Sequence, residues 1–184
     1  MPGAGVGGPC LPKDPYLLLY SVKKDTFESN IIKLARNLNE TMPNHIVELI
    51  LEGLYFLGKT LNKSKIAILG VAYKGDIDDS RLSPSEKVIN SLISQGADVV
   101  VYDPYCNETF GAKRAKSLEA SLKGSDCAVF MTDHTIFREI DLSKVKECMN
   151  SPAVIVDGRR VINPEEAEAL GFRYYGVGYG KRGR

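Results

Sequence analysis

The sequence has no tryptophan, only two histidines and four cysteines, and no surplus of charge of either sign. Each shortage removes a class of function. Cys10, Cys106, Cys127 and Cys148 are widely separated without a Cys-x-x-Cys pair, and His45 and His134 stand apart, so neither a disulfide framework nor a zinc site is expected. The 24 basic and 23 acidic residues are mixed along the chain and leave a net charge of +1, which gives no field to draw in nucleic acid or a membrane surface. No apolar run approaches the roughly 20 residues that cross a bilayer. Met1 is followed by Pro and Gly rather than by a charged and then an apolar leader segment, so the chain reads as cytoplasmic.

What is present divides into three zones. With 184 residues the chain can form one large domain or one domain with an appendage. Residues 1 to 13 are a loop rich in Gly and Pro. Residues 14 to about 61 have no glycine before Gly53 and repeat apolar residues at intervals of three and four, which predicts helix. A first helix is expected with Asp14 as N-cap and Pro15 at its first position, carrying Leu17, Leu18 and Leu19 inward. A second, from Thr26 to Leu38, places Ile31, Leu34, Ala35 and Leu38 on one face. A third is capped by Thr41, has Pro43 in its first turn and runs through Ile46, Leu49, Ile50, Leu54 and Leu57 toward Leu61. This apolar segment packs either within the chain or against a partner subunit, and the pattern leaves both open.

From Lys65 the pattern alternates. KIAILGVAY, DVVVYDP, CAVFMT, AVIVDG and FRYYGVG read as strands, and SPSEKVINSLISQ, Leu118 to Lys123 and pieces of HTIFREIDLSKVKECM read as helices. Apolar runs buried on both faces, alternating with helices, predict an α/β fold: a Rossmann-like doubly wound parallel sheet. The expected division is a helical segment with its leading loop over residues 1–62 and a sheet domain over 63–184. The final KRGR, 181–184, is expected to be solvated and disordered.

In such sheets ligands sit beyond the carboxyl ends of the strands, so the loops AYKGDIDDSRLSP, DPY, TDH and DGRR come first. A dinucleotide fingerprint is lacking, because the first strand is followed by Gly70 alone; Asp103 then reads as a turn-forming Asp-Pro rather than a ribose-binding acid. Lys74, Arg81 and Arg159, at strand ends, form a candidate clamp on a phosphate-bearing ligand, although most such cations are merely solvated. Cys10 precedes a helix N-terminus and neighbours Lys13, a positive setting for a thiol, with Asp14 close enough to handle a water molecule. A thiol with a carboxylate and no histidine is poorly built for peptide hydrolysis. It suits attack on a carbonyl carbon that then loses hydride, leaving a thioester that activated water releases as a carboxylate. The glycines around it would let backbone approach a substrate closely.

GVGGPCLPKDP, AYKGDIDDSRLSP and VDGRR, in this order and spacing, resemble the motifs of the UDP-glucose/GDP-mannose dehydrogenase family, the nucleotide-sugar 6-dehydrogenases. The resemblance runs over essentially the whole chain and corresponds to the later part of a family member. It implies oxidation of the C6 alcohol of a UDP-sugar to a carboxylate in two NAD-dependent steps through a cysteine thioester. It implies Cys10 as nucleophile and Asp14 as the carboxylate that helps activate water. Gly3, Gly5, Gly7 and Gly8 would lie along the sugar; Tyr73, Lys74 and Arg159 would contact the UDP-sugar, and Arg81 would reach the NAD. The helical segment resembles the family's central dimerisation helix, which implies a homodimer. The family's NAD-binding domain and catalytic Lys/Asn segment are not in this sequence, so NAD would be held mainly elsewhere and the chain alone is expected to be inactive. The glycine loop is closer to enzymes of UDP-N-acetylhexosamines, such as UDP-N-acetylmannosamine. A fragment acting on UDP-glucose and a non-catalytic UDP-binding or dimerisation module are the alternatives.

Overall fold

KIAIL, DVVVY, CAVF and VIVD are short, rich in β-branched residues and apolar at nearly every position, a composition that is stable only as strands covered on both faces. The computed structural model, which describes residues 3–22 and 30–180, arranges them in this way. The strands are β1 (Lys65–Leu69), β2 (Asp98–Tyr102), β3 (Lys113–Arg114), β4 (Cys127–Phe130), β5 (Val154–Asp157) and β6 (Arg173–Gly176). All pair in parallel in the order β3-β2-β1-β4-β5-β6. The helices are α1 (Asp14–Ser21), α2 (Asn30–Phe56), α3 (Pro84–Ser94), α4 (Leu118–Leu122), α5 (Thr135–Arg138), α6 (Leu142–Cys148) and α7 (Pro164–Ala169). The expected doubly wound sheet is therefore present. The start of the expected second helix, residues 26–29, and the KRGR tail lie outside the described residues.

Alternation along the strands divides the core into two layers. Ile66, Ile68, Val129, Val154 and Val156 face α2 and α3, while Ala67, Leu69, Ala128, Phe130 and Ile155 face α4 to α7. Two elements escape the sequence pattern. β3 consists of two exposed residues held by pairing with β2. α7 is only six residues long, yet Asn163 caps it by accepting from Glu165 and Glu166 N–H, with Pro164 next.

The helical zone differs from expectation. The second and third predicted helices are one helix, α2, which passes through Thr41 and Pro43 without a break. Thr41 does not cap; its hydroxyl donates to the Leu38 carbonyl within the helix. The helix ends at Phe56 rather than near Leu61, where Gly58 turns left-handed (φ 67°) and Lys59 N–H returns to the Leu54 carbonyl. A single 3₁₀ turn, Leu61–Lys63, then leads into β1.

The two halves of α2 have different surroundings. Ile46, Val47, Ile50, Gly53 and Leu54 are buried against the sheet and α3, so residues on both sides of position 62 share one core. Ile31, Leu34 and Leu38, in the other half, are 63–81% exposed. α1 starts one residue earlier than predicted, with Lys13 rather than Asp14 at the cap position, and buries none of its residues. Leu17 and Leu18 do not turn inward but stand 57% and 53% exposed, and Leu19 is half-buried. Leu18, with Ile31, Ile32 and Ala35, lines an open apolar trough of about 560 Å³ between α1 and the first half of α2.

At Gly53 α2 lies close against the sheet, where an added Cβ would lie 2.5 Å from Val154 Cγ1 and 3.2 Å from the Tyr175 ring. Gly53→Ala gains about 1 kcal/mol in helix propensity but forces overpacking, which costs roughly 1–3 kcal/mol. Urea denaturation should show a net loss of stability; a midpoint equal to or above wild type would contradict this packing.

Candidate functional site

The strand order reverses between β1 and β4, and their carboxyl ends open the crevice where ligands of such sheets bind. Its floor is fixed by a buried carboxylate. Asp103, just after β2, is 4% exposed. Its Oδ2 accepts from Val71 N–H (2.7 Å), Ala72 N–H (3.2 Å) and His134 Nε2 (3.0 Å), and its Oδ1 accepts from Tyr105 and Cys106 N–H (2.9 and 2.8 Å). Burial alone would raise the Asp103 pKa, but the His134 bond and the backbone donors outweigh it and hold the carboxyl well below the usual range. His134 is wholly buried and accepts from Asp76 N–H at Nδ1 (2.9 Å), so its proton sits on Nε2, facing Asp103. Asp76 in turn holds the start of α5 through Thr135 N–H and hydroxyl. Asp103 is thus the turn-former the sequence indicates, through Tyr105 and Cys106, and also the tie joining the loops after β1, β2 and β4.

This tie decides what the crevice can hold. A dinucleotide would need free amides in the turn after β1 and a free acid after β2. Here the Val71 and Ala72 amides are paired with that acid, and Thr132 fills the space beside Gly70 (φ 90°). The residues of this sheet do not fit NAD.

A second carboxylate shapes the loop after β5. Asp157 is fully buried and accepts from Arg159 N–H (3.0 Å), Ile162 N–H (2.8 Å) and the Tyr174 hydroxyl (3.2 Å). Burial, with Asp157 adding to it, pushes the Tyr174 phenol up, so it remains a donor. The loop returns Arg159 across the crevice. Its Nη2 donates to the Tyr73 carbonyl (2.8 Å) and lies 3.5 Å from Asp133 Oδ1, while its buried Nε has no partner among the described residues. Arg159 therefore touches the loops after β1 and β4 from the loop after β5.

Across these strand ends lies the N-terminal glycine loop. Ala4 N–H donates to the Gly158 carbonyl (3.1 Å), Gly8 N–H to the Arg81 carbonyl (3.0 Å), and Val6 is held by the side chain of Asn39 (2.7 and 3.2 Å). The packing against the protein gives the glycines a structural reason of its own. A Cβ on Gly3 would meet the Gly158 carbonyl (3.1 Å), on Gly5 the Asn39 carbonyl (3.2 Å), on Gly7 the Leu82 carbonyl (2.5 Å) and on Gly8 the Tyr73 ring (2.7 Å). They let the loop lie flush on the protein body. Cavities of about 240 and 340 Å³ flank it, and Val6 and Asn39 line both.

The other predicted residues are distributed around this loop. Cys10 is exposed, whereas Cys106 and Cys127 are buried and Cys148 is half-buried. The Cys10 carbonyl accepts from Lys13 and Asp14 N–H (2.9 and 2.8 Å), a turn that leads into α1 and sets Asp14, also exposed, one turn beyond the thiol. The thiol lies within electrostatic reach of Arg81. Arg81 itself is folded onto Asp79, with Nη2 2.7 Å and Nε 3.0 Å from its carboxylate oxygens. Lys74 is exposed and makes no hydrogen bond or ion pair with other described residues. The structure thus gathers Gly3, Gly5, Gly7, Gly8, Tyr73, Arg159 and the Arg81 backbone at one edge, with Cys10 at the end of the loop. Lys74 and Asp14 are near these in sequence but make no side-chain hydrogen bond or ion pair with them. Asn39, Asp133, His134 and Asp157 are site-forming residues that the sequence reading did not single out.

A doubly wound α/β sheet carrying cations at its switch point, with a thiol-bearing loop strapped across the strand ends, defines a ligand-binding domain of the nucleotide-crevice class. Residues 67–164 match the UDP binding domain of the UDP-glucose/GDP-mannose dehydrogenase family and residues 1–41 match that family's central domain; the chain belongs to this family. It is 38% identical over 179 residues to the UDP-N-acetyl-D-mannosamine dehydrogenase of Pyrococcus horikoshii, covering 97% of this chain and 40% of that protein. It is 32% identical to the UDP-glucose 6-dehydrogenase of Rickettsia bellii, covering 96% and 41% of the two chains. The crystal structure of NDP-N-acetyl-D-galactosaminuronic acid dehydrogenase from Methanosarcina mazei superimposes with a TM-score of 0.90 at 38% identity, covering 97% of this chain and 39% of that one. The chain spans about 40% of the length of the curated relatives it matches.

The Asp103 tie makes a prediction with a definite sign. Because its folded pKa is depressed, the stability it contributes is fully present above the unfolded carboxylate value of about 3.9 and is lost as pH falls below that. Asp103→Asn should cost about 1.5–3 kcal/mol at pH 7 and flatten the loss of stability below pH 4, measured by urea denaturation across pH. Equal stabilities with parallel acid limbs would show that the tie carries no load.

Proposed function

We propose that this chain is the thiol-bearing and UDP-binding portion of a UDP-sugar 6-dehydrogenase, acting on a UDP-N-acetylhexosamine such as UDP-N-acetylmannosamine. The observation that carries this reading is the strap: residues 3–10 are bonded to the loops after β5 and β1, so the thiol and the cationic strand ends belong to one edge of the sheet. The identity to UDP-N-acetyl-D-mannosamine dehydrogenases supports the N-acetylated sugar over glucose.

In this reading Lys74 and Arg159 neutralise the diphosphate, Tyr73 lines the nucleotide, and the glycine loop lies along the sugar. Cys10 Sγ adds to the C6 carbonyl carbon. Once that carbon is oxidised, the product is a thioester; Asp14 takes a proton from water, whose oxygen displaces the sulfur and frees the carboxylate. The two oxidations need a hydride acceptor, NAD in the family reading, which residues outside this sequence hold; Arg81 is the contribution of this chain to that neighbour. Residues 1–62 then supply the nucleophile and the central helices, and residues 63–184 the UDP site. The exposed Ile31, Leu34 and Leu38, with Leu17 and Leu18 beside them, support a homodimer through the central helices.

Calorimetry with UDP tests the reading. Lys74→Ala and Arg159→Ala should each weaken UDP binding by about 1.5–3 kcal/mol, the worth of a hydrogen bond to a charged group. Arg159 also holds the Tyr73 carbonyl, so Arg159→Gln, which keeps a donor without the charge, separates charge from loop support. Unchanged affinity in Lys74→Ala and in both Arg159 variants would remove these residues from the site and the proposal with them.

A further inference from the structure

The strap is fixed at three alternate residues. Ala4 and Gly8 donate through their N–H groups to backbone carbonyls, whereas Val6 is held by one side chain. Asn39 Oδ1 accepts from Val6 N–H at 2.7 Å, and Asn39 Nδ2 donates to the Val6 carbonyl at 3.2 Å. A primary amide presents one donor and one acceptor side by side, as a neighbouring strand would, so it completes both main-chain groups of a single residue. No carboxylate can do this, having two acceptors and no donor.

The turn of α2 that carries Asn39 is shaped to receive the loop. Pro43, four residues on, has no N–H, so it cannot take the Asn39 carbonyl. Against that carbonyl lies Gly5, at φ 120° and with no Cβ, where a methyl group would come within 3.2 Å. Asn39, Pro43, Gly5 and Val6 together join the first half of α2 to the strap, four residues before Cys10. The amides of Gly5 and Gly7, between the anchors, have no partner among the described residues.

We propose that Asn39 is a positioning residue for Cys10: by holding the Val6 peptide it sets the register of the strap between Gly158 and Arg81, and with it where the thiol stands relative to a bound sugar. This rests on the UDP-sugar reading above. Nucleotide affinity comes from the strand ends and sugar placement from the strap, so loss of Asn39 should separate the two.

The test measures alkylation of Cys10 by iodoacetamide, read by mass spectrometry, in buffer, with saturating UDP and with saturating UDP-N-acetylmannosamine. UDP affinity and thermal melting are measured in parallel. In the wild type, the UDP-sugar should protect Cys10 well beyond UDP alone. Asn39→Leu removes both bonds; Asn39→Asp keeps the acceptor for Val6 N–H, which preserves the fold, but sets an oxygen against the Val6 carbonyl. Both should bind UDP within about twofold of wild type while the sugar-dependent protection falls by roughly tenfold, the worth of two neutral hydrogen bonds. Undiminished protection in Asn39→Asp and Asn39→Leu overturns the proposal. So does a parallel loss of UDP affinity and protection, which marks a merely structural role. If the wild type binds the UDP-sugar with no protection of Cys10, the functional reading fails as well, and the two failures are distinguished by the protein in which they occur.

Discussion

A carboxylate buried among backbone amides is the constraint on which the ligand edge depends. Asp103 receives donors from the loops after β1, β2 and β4, and each of those loops positions something else. The loop after β1 carries Tyr73, Lys74 and Arg81; the loop after β4 carries Asp133, which meets Arg159. A charge in this setting is stable only while every lone pair is satisfied, so the loops cannot shift independently without stranding it. The same interaction removes the dinucleotide option from the sheet. A fold whose strand order is that of dinucleotide-binding domains has thereby become a platform for a different ligand.

The strap uses the rigid edge in a second way. Gly3, Gly7 and Gly8 are glycines because their missing side chains face the Gly158 carbonyl, the Leu82 carbonyl and the Tyr73 ring. The sequence shows the density of glycine but not its direction: the smooth side of the loop faces the protein. Flush seating makes the loop part of the crevice wall, and Cys10 leaves that wall at the turn into α1, in the field of Arg81.

Much of the fold was legible because local pattern and tertiary environment agree. β1, β2, β4 and β5 are apolar runs and occupy a fully covered sheet; Ser83 and Pro84 start α3 as their types dictate. The failures occurred where a tertiary contact overrides local preference. Pro43 breaks most helices, yet α2 runs through it, and the Asn39 carbonyl it releases faces Gly5. Leu17 and Leu18 looked like core by type, but whether a face is covered depends on what lies opposite it. At the candidate site, motif and strand-end position point to Cys10, Tyr73 and Arg159 as candidates. They do not point to Asn39, His134 and Asp157, because the importance of these three lies in partners 17 to 33 residues away in sequence that no spacing rule specifies.

The central claim is that the thiol at the end of the strap and the cations at the strand ends serve one ligand. The most direct measurement uses a UDP-linked sugar bearing a chloroacetamide group at C6, with the modified residue identified by peptide mass spectrometry. The account predicts a single adduct on Cys10, suppressed by excess UDP and slowed when Lys74 is replaced by alanine. Modification spread over other nucleophiles, or an adduct on Cys10 that UDP does not suppress, would contradict it.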